Sequence, residues 1–158
     1  MSMIEKSLNP QSREAEFVAF RAGSLEFCIN IMSVREIRGW TPATAIPRAP
    51  SYIRGVINLR GVVLPIVDLG VRLGLPGTEP TARHVIIVAQ VGERAAGLLV
   101  DSVSDILSVE DTSIQPTPDV ASQLARMFVR GVIAMDGRMI SVITMDNVLP
   151  AGMDLEAA

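Results

Sequence analysis

Arg54-Gly-Val-Ile-Asn-Leu-Arg-Gly61 recurs 76 residues later as Arg130-Gly-Val-Ile-Ala-Met-Asp-Gly137, and how this pair is read decides the fold. In each copy a β-branched run ends at a polar residue followed by glycine, and a second apolar run begins, so each copy spells a hairpin. Asp136-Gly137 is a favoured two-residue turn that needs positive φ at both positions. Upstream, Val34-Arg-Glu-Ile37 recurs in weaker form as Val103-Ser-Asp-Ile106, shifted by 69. Two separate blocks repeated in the same order favour duplication over chance. The second copy is thus seven residues longer, and the extra residues fall between Ile106 and Arg130, in the polar, proline-bearing stretch from Glu110 to Val120. Such a stretch reads as a surface excursion that leaves the repeated unit intact.

The rest of each copy follows the same plan. Phe17–Phe20 and Leu25–Ile29 flank Arg21-Ala-Gly-Ser24 as a hairpin, and Val85–Val88 with Ala95–Val100 flank Gly92-Glu93 in the second copy. Val34–Arg38 spaces its apolar residues three apart, as a helical turn or a bent strand does. Trp40–Pro50 holds three prolines in eleven residues and must be an extended loop. Many short strands, frequent turns and little helix predict a mainly β fold of two small barrels packed as lobes, not a layered α/β sheet. The expected organisation is a flexible N-terminus over 1–15 and one domain over 16–150. Within it lie a first lobe over about 16–73, a linker over 74–83 and a second lobe over about 84–149, with strand exchange between lobes left open. A tail of 151–158 follows.

Composition excludes several classes. The chain has 158 residues, 49% hydrophobic and 20% charged, enough for a substantial core built on Val, Ile and Leu. No 18-residue apolar run is present, which argues against a spanning helix or direct membrane insertion. Met1–Pro10 lacks the apolar segment of a signal peptide, and the single cysteine, Cys28, cannot form an internal disulfide, so a cytoplasmic location is expected. A net charge of −3 and 4% aromatic residues weigh against nucleic-acid binding.

Catalytic and metal constellations are weak. His84 is the only histidine, and its place before the apolar run Val85–Val88 suits a strand-entry residue. Cys28, between Phe27 and Ile29, reads as a buried small hydrophobe. Glu36, Asp68, Asp101 and Asp105 lie at strand ends or turns, where solvated carboxylates are ordinary, and no phosphate-cradling glycine motif occurs. No cofactor, metal or catalytic residue is expected.

Asn58-Leu-Arg-Gly61 followed by Leu64-Pro-Ile-Val-Asp-Leu69, with Val34–Ile37 upstream and Gly97-Leu-Leu-Val-Asp101 then Val103–Ile106 downstream, resembles the CheW family of chemotaxis coupling proteins from about Glu16 to Leu149. The resemblance implies two five-stranded SH3-like barrels around a shared core. It also implies a non-enzymatic adaptor joining chemoreceptor cytoplasmic tips to the regulatory domain of the histidine kinase CheA, with other CheW copies as further partners in rings. The protein would then be recruited to membrane-associated receptor arrays.

A receptor tip is a helical hairpin, which calls for a shallow apolar groove with polar groups fixing register. Val34 and Val103, which occupy corresponding positions, and Ile37 are candidates to line it, together with Ser104. By resemblance Glu36 and Arg60 form an ion pair near the receptor site. The second copy has Asp105 and Asp136 at those positions, so the opposite-charge combination looks specific to the first lobe. The resemblance also implies kinase contacts at the outer barrel ends, where exposed apolar turn residues would serve: Val62, Leu64, Met135 and Met139. The competing reading is a small-ligand sensor or an enzyme with a site in the lobe cleft. It requires convergent polar groups there, whereas the groove candidates are mainly apolar.

Overall fold

The computed structural model describes residues 14–77, 79–117 and 123–149. Ten strands follow in order: β1 (Glu14–Ala22), β2 (Leu25–Asn30), β3 (Val34–Gly39), β4 (Ile53–Leu59), β5 (Val62–Asp68), β6 (Val85–Val91), β7 (Arg94–Val100), β8 (Ser102–Glu110), β9 (Val129–Met135) and β10 (Arg138–Ile143). Helix among the described residues is confined to α1 (Leu69–Arg72), α2 (Gln123–Phe128), α3 (Met145–Val148) and two 3-10 turns. Val34–Gly39 is a strand, with a register shift between Val34 and Glu36 that bends it. Of the stretch expected to be flexible, 1–13 lies outside the described residues, as does 151–158, whereas Glu14 and Ala15 already pair with Glu110 and Val109.

The strands form two five-stranded sheets, β8-β1-β2-β10-β9 and β3-β6-β7-β5-β4. Replacing each strand by its counterpart in the other copy turns one order into the other, so the duplication read from the sequence is a pseudo-two-fold relation between sheets. Each sheet takes strands from both copies. The first hairpin, β1–β2, lies between β8 and β10 of the second copy, and β6–β7 lies between β3 and β5 of the first. The joining pairs β2–β10 and β5–β7 are parallel and correspond in register, with Cys28↔Val142 matching Gly97↔Ile66. The loop beyond each outer strand bridges back to the opposite edge, Thr44 to Val56 and Gln115 to Val132. Gly55 and Gly131 sit beside these bridges because the loop backbone passes too close for a side chain.

Central strands are buried on both faces, which is why they read as unbroken apolar runs. In β1, Val18 and Phe20 join an 18-residue cluster between the sheets, while Phe17 and Ala19 turn into an eight-residue cluster enclosed by the first sheet. The second sheet encloses six buried residues, among them Ile66 and Ile86. The shared cluster exceeds both interiors together, so each sheet depends on the other for its burial. Arg72 reinforces the join. Its guanidinium stacks between the rings of Tyr52 and Phe128, counterparts in the two copies, at 4.0 and 5.1 Å. Arg72 also donates to Asn147 O at 2.9 Å, and Arg94 to Asp146 O at 3.2 Å, satisfying carbonyls around α3.

Cys28 lies wholly inside the first sheet, where burial, then the Glu26 charge, pushes its thiol from an ordinary 9.0 up to about 12 against an opposing pull from Arg130. The folded value is the higher one, so this thiol leaves stability unchanged below about pH 9 and lowers it as the unfolded thiol ionises between pH 9 and 12. A chromogenic disulfide reagent is therefore expected to react slowly with the native protein and at once in denaturant. Fast native labelling at neutral pH would contradict this burial.

Candidate functional site

The site begins with the edge strand β3 and the β4–β5 turn. Arg60 and Gly61 both have positive φ, 52° and 87°, the geometry of the two-residue hairpin turn. Asn58 Oδ1 accepts from Gly61 N at 2.8 Å and fixes the turn. That projects Arg60 across to β3, where its Nη2 donates to Glu36 Oε1 at 2.5 Å. Glu36 Oε2 also lies 3.7 Å from Arg38 Nη1. The hydrogen bond from Arg60 holds the Glu36 carboxyl below its usual range against partial desolvation, with the charges of Arg60 and Arg38 adding to it. The pair thus stays ionised at neutral and mildly acidic pH and breaks only as pH falls through that lowered value.

The expectation that the second lobe lacks such a pair is corrected. Asp105, the counterpart of Glu36, accepts from Arg138 in bidentate fashion, at 3.1 Å to Nη1 and 3.0 Å to Nη2. Arg138 stands two residues beyond Asp136, so aligning like positions misses it. Its guanidinium also binds Glu26, with Nε at 3.2 Å from Oε1 and Nη2 bonded to Oε2. These bonds, first to Glu26 and then to Asp105, raise the Arg138 pKa, and Arg138 lowers that of Asp105. Each lobe therefore carries a carboxylate–arginine tie between an edge strand and a hairpin, built from different positions.

The remaining candidates divide by burial. Val34 and Val103 are half-buried at the margin of the shared cluster. Ile37, paired with Ile87, is 45% exposed, and Ser104 is exposed. Val62 and Met139 are 61% and 65% exposed, and Met135 packs against the first sheet's interior. Leu64, expected at the surface, is only 4% exposed and fills the second sheet's interior. β5 leaves the turn with Val62 and Val63 both outside, so burial starts at Leu64. Among the exposed apolar residues that went unread, two are counterparts of candidates: Val63, of Met139, and Ile106, of Ile37, at 65% and 58%. Their signal was the duplication itself.

The groups considered for chemistry are engaged in local structure. His84 Nδ1 accepts from Thr81 N at 2.9 Å, and His84 Nε2 lies 3.5 Å from Asp101 Oδ1. Asp101 Oδ2 accepts from Gly23 N at 2.9 Å. Asp68 is buried, pairs with Arg54 Nη2 at 2.8 Å and caps α1 through Val71 N. Among the described residues, no group of three or more His, Cys, Asp or Glu gathers as a metal site, and no helix is long and apolar enough to cross a membrane.

Comparison with known proteins gives a consistent result. Residues 16–152 match the CheW-like domain family. The chain is 65% identical over 136 residues to the chemotaxis protein CheW of Rhizobium meliloti, covering 86% of this chain and 88% of that one. It is 40% identical over 134 residues to the chemotaxis protein CheW of Klebsiella aerogenes, covering 85% and 81%. Among solved structures, the scaffolding protein TtCheW from Thermoanaerobacter tengcongensis superposes with a TM-score of 0.76 at 30% identity, covering 84% of this chain and 90% of that one.

Proposed function

Since the chain belongs to the CheW-like family of chemotaxis proteins, we propose that it is a non-enzymatic adaptor, coupling chemoreceptor cytoplasmic tips to the regulatory domain of the histidine kinase CheA. It acts in the cytoplasm, recruited to receptor arrays, where further copies of the chain can join the kinase domain in rings. The observation that carries this reading is the pairing of exposed apolar residues, Ile37 with Ile106 and Val63 with Met139, at counterpart positions on two lobes sharing one core. Exposed apolar side chains on a rigid body suit protein docking, and two faces suit a coupler. The tip docks beside Val34, Glu36, Ile37 and Arg60, with Val103 and Ser104 from the second copy. The kinase domain takes the hairpin ends at Val62 and Met139, with Met135 in the same hairpin.

The test is a binding assay with purified receptor-tip and kinase regulatory-domain fragments from the same organism, read beside kinase activity in reconstituted receptor membranes. Binding to both, with receptor-dependent activation, is the expected result. Binding to neither by a folded sample would end the adaptor reading. Met139→Asp should weaken the kinase domain by about tenfold, as burying a charge at an apolar contact does, and leave the tip unaffected. Equal loss of both partners would argue against separate faces.

A further inference from the structure

Beside the Glu36–Arg60 pair lies a cleft of about 330 Å³, between β3 with its following loop and the β4–β5 hairpin, lined by Arg38, Thr41, Thr44, Asn58, Ile57 and Val63 among others. We propose that this cleft is a socket for one acidic side chain of the helical partner that docks on the Glu36–Arg60 face, received by the Arg38 guanidinium. The proposal rests on the docking reading above and names a recognition element within it.

Three observations carry it. First, Arg38 Nε is buried and has no hydrogen-bond partner among the described residues, while Arg38 Nη1 reaches Glu36 only at 3.7 Å. A buried donor in that state calls for an acceptor, and the Arg38 side chain lines a cleft that has room for a carboxylate. Second, the surrounding charge is unbalanced. Arg38 and Arg60 share the single carboxylate of Glu36, so this corner carries an excess of positive charge on a chain of net charge −3.

Third, the other copy supplies an internal control. Arg38 pairs across the sheet with Ile86, and its counterpart Leu107 pairs with Phe17. Leu107 is 4% exposed and packs inside the first sheet. The fold thus accepts a core leucine here, and the second sheet instead carries an arginine at the same place. Asn58 likewise corresponds to Ala134. Two polar cleft residues, Arg38 and Asn58, are thus apolar in the other copy; Asn58 also fixes its own turn, which leaves Arg38 as the polar group that the fold itself does not require. A planar fork on a fixed strand matches a carboxylate in bidentate geometry.

The deciding experiment is a double-mutant cycle by calorimetry, using the full chain and a receptor-tip fragment. Arg38→Leu, which copies the second lobe, should keep or raise the melting temperature and weaken tip binding by about tenfold or more. Arg38→Lys, which retains the charge without the fork, should fall between and serves if the leucine variant misfolds. Changing each acidic residue of the tip to its amide in turn should identify one whose loss costs as much against the native chain and nothing further against Arg38→Leu. Native tip affinity in Arg38→Leu, while Arg60→Glu still weakens it, would overturn the socket and leave the docking face standing. So would a loss confined to the kinase fragment, or one coupled to no acidic residue. Failure of the native chain to bind the tip at all would instead sink the docking reading, and the socket with it.

Discussion

Arg60→Glu is expected to weaken receptor-tip binding by at least about tenfold while the protein melts within a few degrees of the native chain. The Arg60 side chain is 72% exposed, so its removal costs the fold little. Its turn position already tolerates an acid, since Asp136 holds the same conformation in the second copy, at φ 51°. What changes is local. Two carboxylates would face each other where a 2.5 Å ion pair now fixes the hairpin against β3, and like charges at that distance separate. Reversing both charges, Glu36→Arg with Arg60→Glu, should restore part of the affinity if the pair acts by positioning. Circular dichroism melting beside calorimetry checks both halves, and a folded Arg60→Glu protein with normal tip affinity would remove this pair from the receptor site.

Gly55→Ala should be the most destabilising small substitution in the first copy's hairpin, at about 3 kcal/mol, which for a chain of this size lowers the melting temperature by roughly 10 °C. Two effects combine. The φ of Gly55 is +143°, a conformation that side chains rarely adopt, and a Cβ there would collide with the Thr44 carbonyl. Thr44 exchanges two backbone hydrogen bonds with Val56, at 2.9 and 2.8 Å, and these close the loop onto the opposite sheet edge. Gly137→Ala is the natural comparison, because its φ is +74° but nothing lies within 4 Å of a new methyl group. It should cost about 1 kcal/mol. If Gly55→Ala melts no lower than Gly137→Ala, the loop yields freely and the close approach is not what Gly55 secures.

Much of this architecture was legible in the chain. The duplicated hairpins, their glycine turns and the proline-rich loop are local features, written in β-branched runs and left-handed turn residues that need no knowledge of the rest of the fold. The Glu36–Arg60 pair came from family resemblance, and its distance follows from the turn that aims Arg60. What escaped depends on tertiary placement. Leu64 was misjudged because alternation does not run cleanly out of the turn: Val62 and Val63 are both exposed. The Asp105–Arg138 tie was missed because its arginine stands two residues beyond Asp136, the position equivalent to Arg60, and only proximity in the fold brings it to Asp105. Arg38 gave no sign in Val34-Arg-Glu-Ile-Arg38, a segment that mixes charged and apolar residues. Its meaning needed the register that sets it against Leu107.

The exchange of hairpins between sheets also bears on how the chain is made. β1 pairs with β8, Glu14 opposite Glu110, and β2 pairs with β10 at residues 140–142. At ordinary translation speeds the N-terminal hairpin therefore waits roughly ten seconds on the ribosome before either neighbour emerges. Over that interval its Phe-rich faces and both edges lack their native cover, a state open to chaperones and to strand capture by another nascent chain. Assembly is governed by contacts distant in sequence, so folding should be slow for the protein's size. A strand borrowed from a neighbouring polypeptide would be the characteristic error.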